Sequence, residues 1–253
     1  MISLKQCFQY GLGLCLLSAT PTGVVYNYGG IKVTAVKESN EHAKAELLQA
    51  RLDKTLVDSP KLVYQVNNYV LKANSKNNLT GICANSKDGQ HIHVIVDNKP
   101  YTAIYQPTYL LKEDSGSHLV LSFLSRSHHQ SIKHPKAFKL QQIDLGKPNK
   151  KYNLKQPYLF YSRPKGIYTG GDTKNILLDF YLVNTHISPT GNKVRVTIDN
   201  QHIFTVNKWC PYLIEGLAIG DHTVKLELLD VKNKRIANPL LPVERKFSIQ
   251  VNP

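Results

Sequence analysis

The sequence predicts an all-β protein built from two tandem immunoglobulin-like β-sandwich modules related by an internal repeat. Three observations carry this expectation. Short runs rich in β-branched residues recur along the chain and stop at Asn, Asp and Gly, as strands do at turns. The same string of motifs is written twice: residues 91–98 resemble 193–200, 109–111 resemble 212–214, and 116–120 resemble 220–224. The length, 253 residues, suits two modules of about 100 residues and a leader.

The elements follow in order. Residues 1–23 read as a signal or leader segment, with Lys5 before the apolar stretch 11–17 and small residues Ser18, Ala19 and Thr20 where cleavage would fall. Leu14 before Cys15 fits a lipoprotein signal poorly, so membrane anchoring through the leader is the lesser expectation. Module 1 spans 36–147. Its first part, 38–56, is rich in Ala, Glu, Lys and Leu, and propensity alone reads it as helix. The repeat aligns 45–56 with 158–168, where Pro164 forbids a regular helix, so 46–52 is read as the opening strand. A helical turn within 40–48 is the alternative. The run 62–71 corresponds to 176–187, and each precedes a polar turn before the next strand, 91–96 or 194–198. Residues 119–124 are nearly all apolar, as a strand buried on both faces would be, whereas 224–228 alternate apolar and charged. The closing strands are 138–145 and 245–251. Module 2 spans 154–253, and 146–153 is read as an exposed connector.

The net charge of +14 invites a nucleic-acid reading, but the excess is spread over both modules and no nucleic-acid-binding motif accompanies it. Its one concentration, 147–165, interleaves six cations with Tyr152, Tyr158 and Tyr161 and is read as a solvated joint. No apolar run approaches the ~20 residues of a spanning helix. Outside the leader only Cys83 and Cys210 occur, in opposite halves, and free buried thiols are expected.

Several strings are specific enough to compare with known families: Gly89-Gln90-His91-Ile92-His93, Phe123-Leu124-Ser125-Arg126-Ser127, Tyr161-Ser162-Arg163-Pro164-Lys165-Gly166 and Trp209-Cys210-Pro211-Tyr212. Over residues 44–251 the chain resembles a group of uncharacterised exported, often lipoprotein-like, Bacteroidota proteins with tandem immunoglobulin-like modules. The resemblance implies export to the periplasm or cell envelope of a bacterium. It implies no reaction and no catalytic residues.

Two sets of residues stand out. His91 and His93 are two apart, so on a strand both rings point to one face, and with His118 they form a candidate zinc or copper set. Against this, Lys193 and Arg195 occupy the matching positions of the second module, which makes the face look solvent-compatible, and His118 is matched by a solitary His222. The loop 126–135 offers Arg126, His128, His129 and Lys133 as candidate ligand-binding residues on an inter-strand connection, where sandwiches often bind partners. No catalytic set is legible: Ser127 and His128 are neighbours without a third group, Gly170-Gly171-Asp172 lacks phosphate-loop spacing, and Asp97 and Asp199 read as turn residues. Trp209, the single tryptophan, is read as a buried anchor of module 2. The functional expectation is a non-catalytic exported protein, binding or structural, without a cofactor. Its partner would be a protein or glycan of the envelope, not nucleic acid. The alternative is a metal-binding sandwich using the histidines of module 1, and a hydrolase with an unfamiliar site comes third.

Overall fold

The computed structural model describes residues 24–55, 60–76 and 79–252. The leader and Cys15 lie outside them. The described chain is all-β, with seventeen strands and one 3-10 turn at Gly170–Thr173. No helix among these residues is long and apolar enough to cross a membrane.

A hairpin comes first among the described residues: β1 (Val25–Tyr28) and β2 (Ile31–Ala35), turning at Gly29 and Gly30, both at positive φ, a conformation that glycine adopts without strain. The first sandwich follows, from β3 (Glu46–Asp53), β4 (Lys61–Asn67), β5 (His91–Val96), β6 (Thr102–Ile104), β7 (Thr108–Leu110), β8 (Gly116–Ser125) and β9 (Phe138–Leu145). One sheet has the order β3-β4-β7, the other β6-β5-β8-β9. The Ala- and Glu-rich opening segment is a strand because Leu47 and Ala50 bury against this core; a short turn at 41–44 stands where a helix was the alternative.

The second sandwich contains β10 (Tyr158–Arg163), β11 (Gly166–Thr169), β12 (Ile176–Val183), β13 (Lys193–Ile198), β14 (His202–Val206), β15 (Tyr212–Glu215), β16 (Gly220–Leu229) and β17 (Val243–Gln250). Its sheets run β1-β2-β15-β12-β10 and β11-β17-β16-β13-β14, with β11 and β17 the one parallel pair of named strands. The opening hairpin therefore belongs to the second sandwich: β2 pairs antiparallel with β15, Val33 opposite Ile214. The described chain starts on the second sandwich, builds the first, and returns. The sequence repeat gave no sign of this, because the hairpin has no counterpart in the first module.

The repeat itself is visible in detail. Asp97 and Asn98, like Asp199 and Asn200, all adopt positive φ in tight turns closed by Lys99 N–H to the Val96 carbonyl and Gln201 N–H to the Ile198 carbonyl.

The connector 146–153 is exposed as expected at every residue but Tyr152, yet the modules it joins stack face to face. Alternation along β12 sends Ile176, Leu178, Phe180 and Leu182 into the second core, while Asp179, Tyr181 and Val183 point the other way. There Tyr181 and Val183 meet Ile95 of β5, Leu119, Leu121 and Phe123 of β8, and Tyr158 and Phe160 of β10 in a third apolar layer. Four sheets thus lie in succession with three cores between them. Tyr152, Tyr158 and Tyr161, expected in a solvated joint, are buried; Tyr152 donates to the Asp97 carboxylate at 3.0 Å. Leu79 and Cys83 cover Leu177 on the same sheet. Cys83 and Cys210 are free and buried.

Candidate functional site: a histidine cluster between the sandwiches

β5 reads His-Ile-His-Val-Ile-Val. Ile92, Val94 and Val96 enter the first core, so His91, His93 and Ile95 face the second module, and both histidines are 0% exposed. This corrects the expectation of a solvent-compatible face. The matching face of β13 carries Lys193 and Arg195 because no module packs on it.

The third ring comes from the β8–β9 connection. Arg126 N–H to the Gln130 carbonyl and His129 N–H to the Arg126 carbonyl close a tight turn, and His129 takes positive φ. Its Nδ1 lies 3.1 Å from His91 Nε2, which lies 2.9 Å from His93 Nε2. The candidate ligand nitrogens all fall within 4.8 Å of one another. The far sides of two rings are held. His91 Nδ1 is 2.7 Å from the Gly89 carbonyl, an acceptor only, so the proton sits on Nδ1 and leaves the neutral ring's Nε2 lone pair facing the cluster. His93 Nδ1 is 3.2 Å from Ser162 Oγ of the second module. A hydroxyl can donate or accept, so it supports either tautomer of His93. Tyr101 stacks on His93 with centroids 3.6 Å apart, and its hydroxyl is 3.3 Å from His129 Nδ1.

Burial, reinforced by the neighbouring rings and Arg163, keeps these imidazoles neutral. It pushes His91 down to about 4 and His93 and His129 well below the usual value. Neutral imidazole is the form that ligates metal. A tetrahedral ion with bonds near 2.0–2.1 Å would set its nitrogens ~3.3 Å apart, so the 2.9 and 3.1 Å gaps would open slightly and the set, now spread within 4.8 Å, would draw in around it. Arg163 and Lys165 lie over the Tyr101 ring at 5.4 and 4.3 Å, so an added ion meets two cations across it.

His118 does not join the cluster. Register places Ser125, not His118, opposite His91, and His118 sits at the other end of β8. Its Nδ1 is 2.7 Å from the Asp97 carboxylate and its Nε2 2.9 Å from the Asp114 carbonyl. The proposed recognition loop is also relocated: Arg126, His128 and Lys133 are buried beside the segment 36–45 and β12, and His129 is buried in the histidine cluster. Arg126 donates to the Ser39 and Glu41 carbonyls at 3.0 and 2.7 Å, His128 Nε2 pairs with Gln130 Oε1 at 3.0 Å, and Lys133 meets Asp179 at 2.5 Å. Tyr101, Ser162, Glu38 and Asp179 escaped sequence reasoning: Ser162 and Asp179 gain their roles only once the modules stack, and Tyr101 and Glu38 are distant in sequence from the side chains they meet. One signal was the lack of polar alternation in 119–124 and 176–183.

No protein-family model matches the chain, and no curated protein matches its sequence. Among solved structures it is similar to fibronectin(III)-like modules of Clostridium thermocellum CbhA, with 10% identity and a TM-score of 0.29 over 80% of this chain and 95% of that one. It is also similar to the Bacteroides ovatus mixed-linkage glucan utilization locus protein SGBP-B, solved with a mixed-linkage heptasaccharide, with 10% identity and a TM-score of 0.24 over 85% of this chain and 72% of that one. Likeness this loose carries no argument about ligand or activity. Fold and site alone define the class: a double β-sandwich protein with a buried imidazole cluster between its sandwiches.

Proposed function

We propose that the protein is an exported, non-catalytic binding protein of the bacterial envelope, and that the species bound at the cluster is zinc or copper. The observation that carries this reading is the convergence of three neutral imidazole nitrogens from His91, His93 and His129, two of them with the opposite ring nitrogen already engaged. Such outer partners fix tautomer and ring direction at metal sites. The three rings bring no negative charge, and Arg163 and Lys165 stand close, so a singly charged, soft ion such as Cu(I) meets less repulsion than a dication. The test is equilibrium dialysis of the purified protein against zinc and, under reducing conditions, copper. One equivalent should be retained by the wild type and lost in His93→Phe and His129→Asn. Retention near zero at micromolar metal would end the proposal.

A second reading, recognition of an envelope glycan or protein, draws on an open groove of about 390 Å³. Asp97, Asn98, Lys99 and Pro100 line one wall and residues 239–245 the other. Calorimetric titration with envelope polysaccharides, comparing wild type with Lys99→Ala, tests it.

A further inference from the structure

Lys133 is an unusual lysine. Its side chain is 3% exposed and that of Asp179 is 0% exposed, yet Nζ stands 2.5 Å from Asp179 Oδ1. Glu38 Oε1 is 3.5 Å from the same nitrogen. The three groups come from three distant parts of the chain: the β8–β9 connection, the outward face of β12, and the segment linking β2 to β3. Asp179 is oriented by Ser131, whose N–H donates to Oδ2 at 3.2 Å and whose hydroxyl donates to Oδ1 at 3.0 Å. Glu38 Oε2 accepts from Gln130 at 2.9 Å, while its buried Oε1 accepts no hydrogen bond. Tyr181, two residues beyond Asp179 on the same face of β12, packs against Phe123, Phe138 and Trp209 with centroids 4.6, 5.4 and 5.1 Å away. An amine, a carboxyl and a second carboxylate are therefore held together beside an aromatic wall.

We propose that Lys133 and Asp179 condense to form an isopeptide bond between the two sandwiches, with Glu38 as the proton carrier. The pair starts ionic: burial lowers the Lys133 pKa, but Asp179 and Glu38 raise it further than burial lowers it. With the Lys133 and Asp179 side chains both buried, transfer of one proton along the 2.5 Å contact turns ammonium and carboxylate into neutral amine and neutral acid, which removes two buried charges. The Nζ lone pair then attacks Asp179 Cγ. Glu38 Oε1 takes the second amine proton and delivers it to the departing hydroxyl, which leaves as water. Ammonium plus carboxylate gives amide plus water, with no oxidant or co-reactant. Fixed proximity supplies the driving advantage over the same reaction in solution, and the Ser131 donors polarise the carboxyl under attack.

Mass spectrometry of the denatured full chain tests this independently of any metal. The wild type should be lighter than its sequence mass by one water, whereas Lys133→Arg and Asp179→Ala, with the same N-terminus, should have their full masses. Digestion should yield one branched peptide joining the segments around Lys133 and Asp179, and Glu38→Gln should leave most of the chain unjoined. A wild type at full mass with no branched peptide overturns the proposal, as does a water loss that persists in Asp179→Ala. A bond that forms unimpaired in Glu38→Gln removes Glu38 from the mechanism. Because the wild-type mass alone decides the main point, misfolding of a variant does not blur the answer.

Discussion

His118 and His222 show how one residue can be written twice for a structural reason and resemble a ligand in sequence. Each ring nitrogen Nδ1 lies 2.7 Å from a carboxylate, Asp97 or Asp199, that also accepts the next backbone amide, from Leu119 or Thr223. Each Nε2 meets a carbonyl four residues upstream. The unit ties the hairpin turn of one strand pair to the start of the next strand, which is why Asp97 and Asp199 were legible as turn residues while His118 was misread as a metal candidate. Burial works to lower the His118 pKa, but the Asp97 carboxylate and the Asp114 carbonyl outweigh it and raise it above 6.5. For Asp97, burial is outweighed by His118, the Leu119 amide and Tyr152, and its pKa falls. A raised histidine pKa stabilises the fold below about 6.5 and loses that contribution as pH climbs through the folded value; a lowered aspartate pKa stabilises above about 4 and is lost on acidification. The pair therefore contributes most between about pH 4 and 6.5. Proton NMR should find His118 titrating above the ordinary histidine value, and Asp97→Asn should bring the midpoint down. An unmoved midpoint would show that the carboxylate is not the cause.

At the scale of strands, β5 and β8 differ from their counterparts β13 and β16 most sharply on the face turned away from their own core. In β8 that face carries Leu119, Leu121 and Phe123; in β16 it carries Thr223, Lys225 and Glu227. The first set packs on β10 and β12, the second does not. Leu121→Ala should cost about 2–5 kcal/mol in urea unfolding, as buried leucine truncations do, and Lys225→Ala should stay within about 0.5 kcal/mol. Equal effects would contradict the stacked arrangement. The strands themselves were legible, because β-branched runs and turn residues act locally and the repeat supplied a second witness; it also overrode helix propensity in β3 correctly. The stacking was not. Reading Lys193 and Arg195 as evidence that His91 and His93 face solvent assumed that two copies of a module share an environment. A repeat preserves the inward face and frees the outward one to diverge, so the difference between copies was the signal. The added hairpin of β1 and β2 escaped for a related reason: its partner strand β15 lies in the other module, and no local pattern encodes that pairing.

Across the whole molecule, three apolar layers in succession make the sandwiches one body. Trp209 packs on both the second core and the layer between the modules, and its Nε1 donates to the Phe180 carbonyl at 3.0 Å, so it reports on the junction as well as on its own module. Buried polar links cross the same junction: Asn98 donates to the Leu159 carbonyl at 3.1 Å and accepts from the Tyr161 amide at 3.0 Å. Modules joined by a flexible connector and a small polar contact would melt separately. Here separating them would bare Ile95, Leu119, Leu121 and Phe123 on one side and Tyr158, Phe160, Tyr181 and Val183 on the other, and would strand His93 without Ser162 and Lys133 without Asp179. Thermal unfolding of the full chain should thus be a single transition, with Trp209 fluorescence and far-ultraviolet circular dichroism coincident. The fragment 36–147, expressed alone, should bind an apolar dye or aggregate, because its exposed β5–β8 face has the composition of an interior. Two resolved transitions in the full chain, together with a soluble fragment that binds no dye, would show that the layer between the modules contributes little to holding them together.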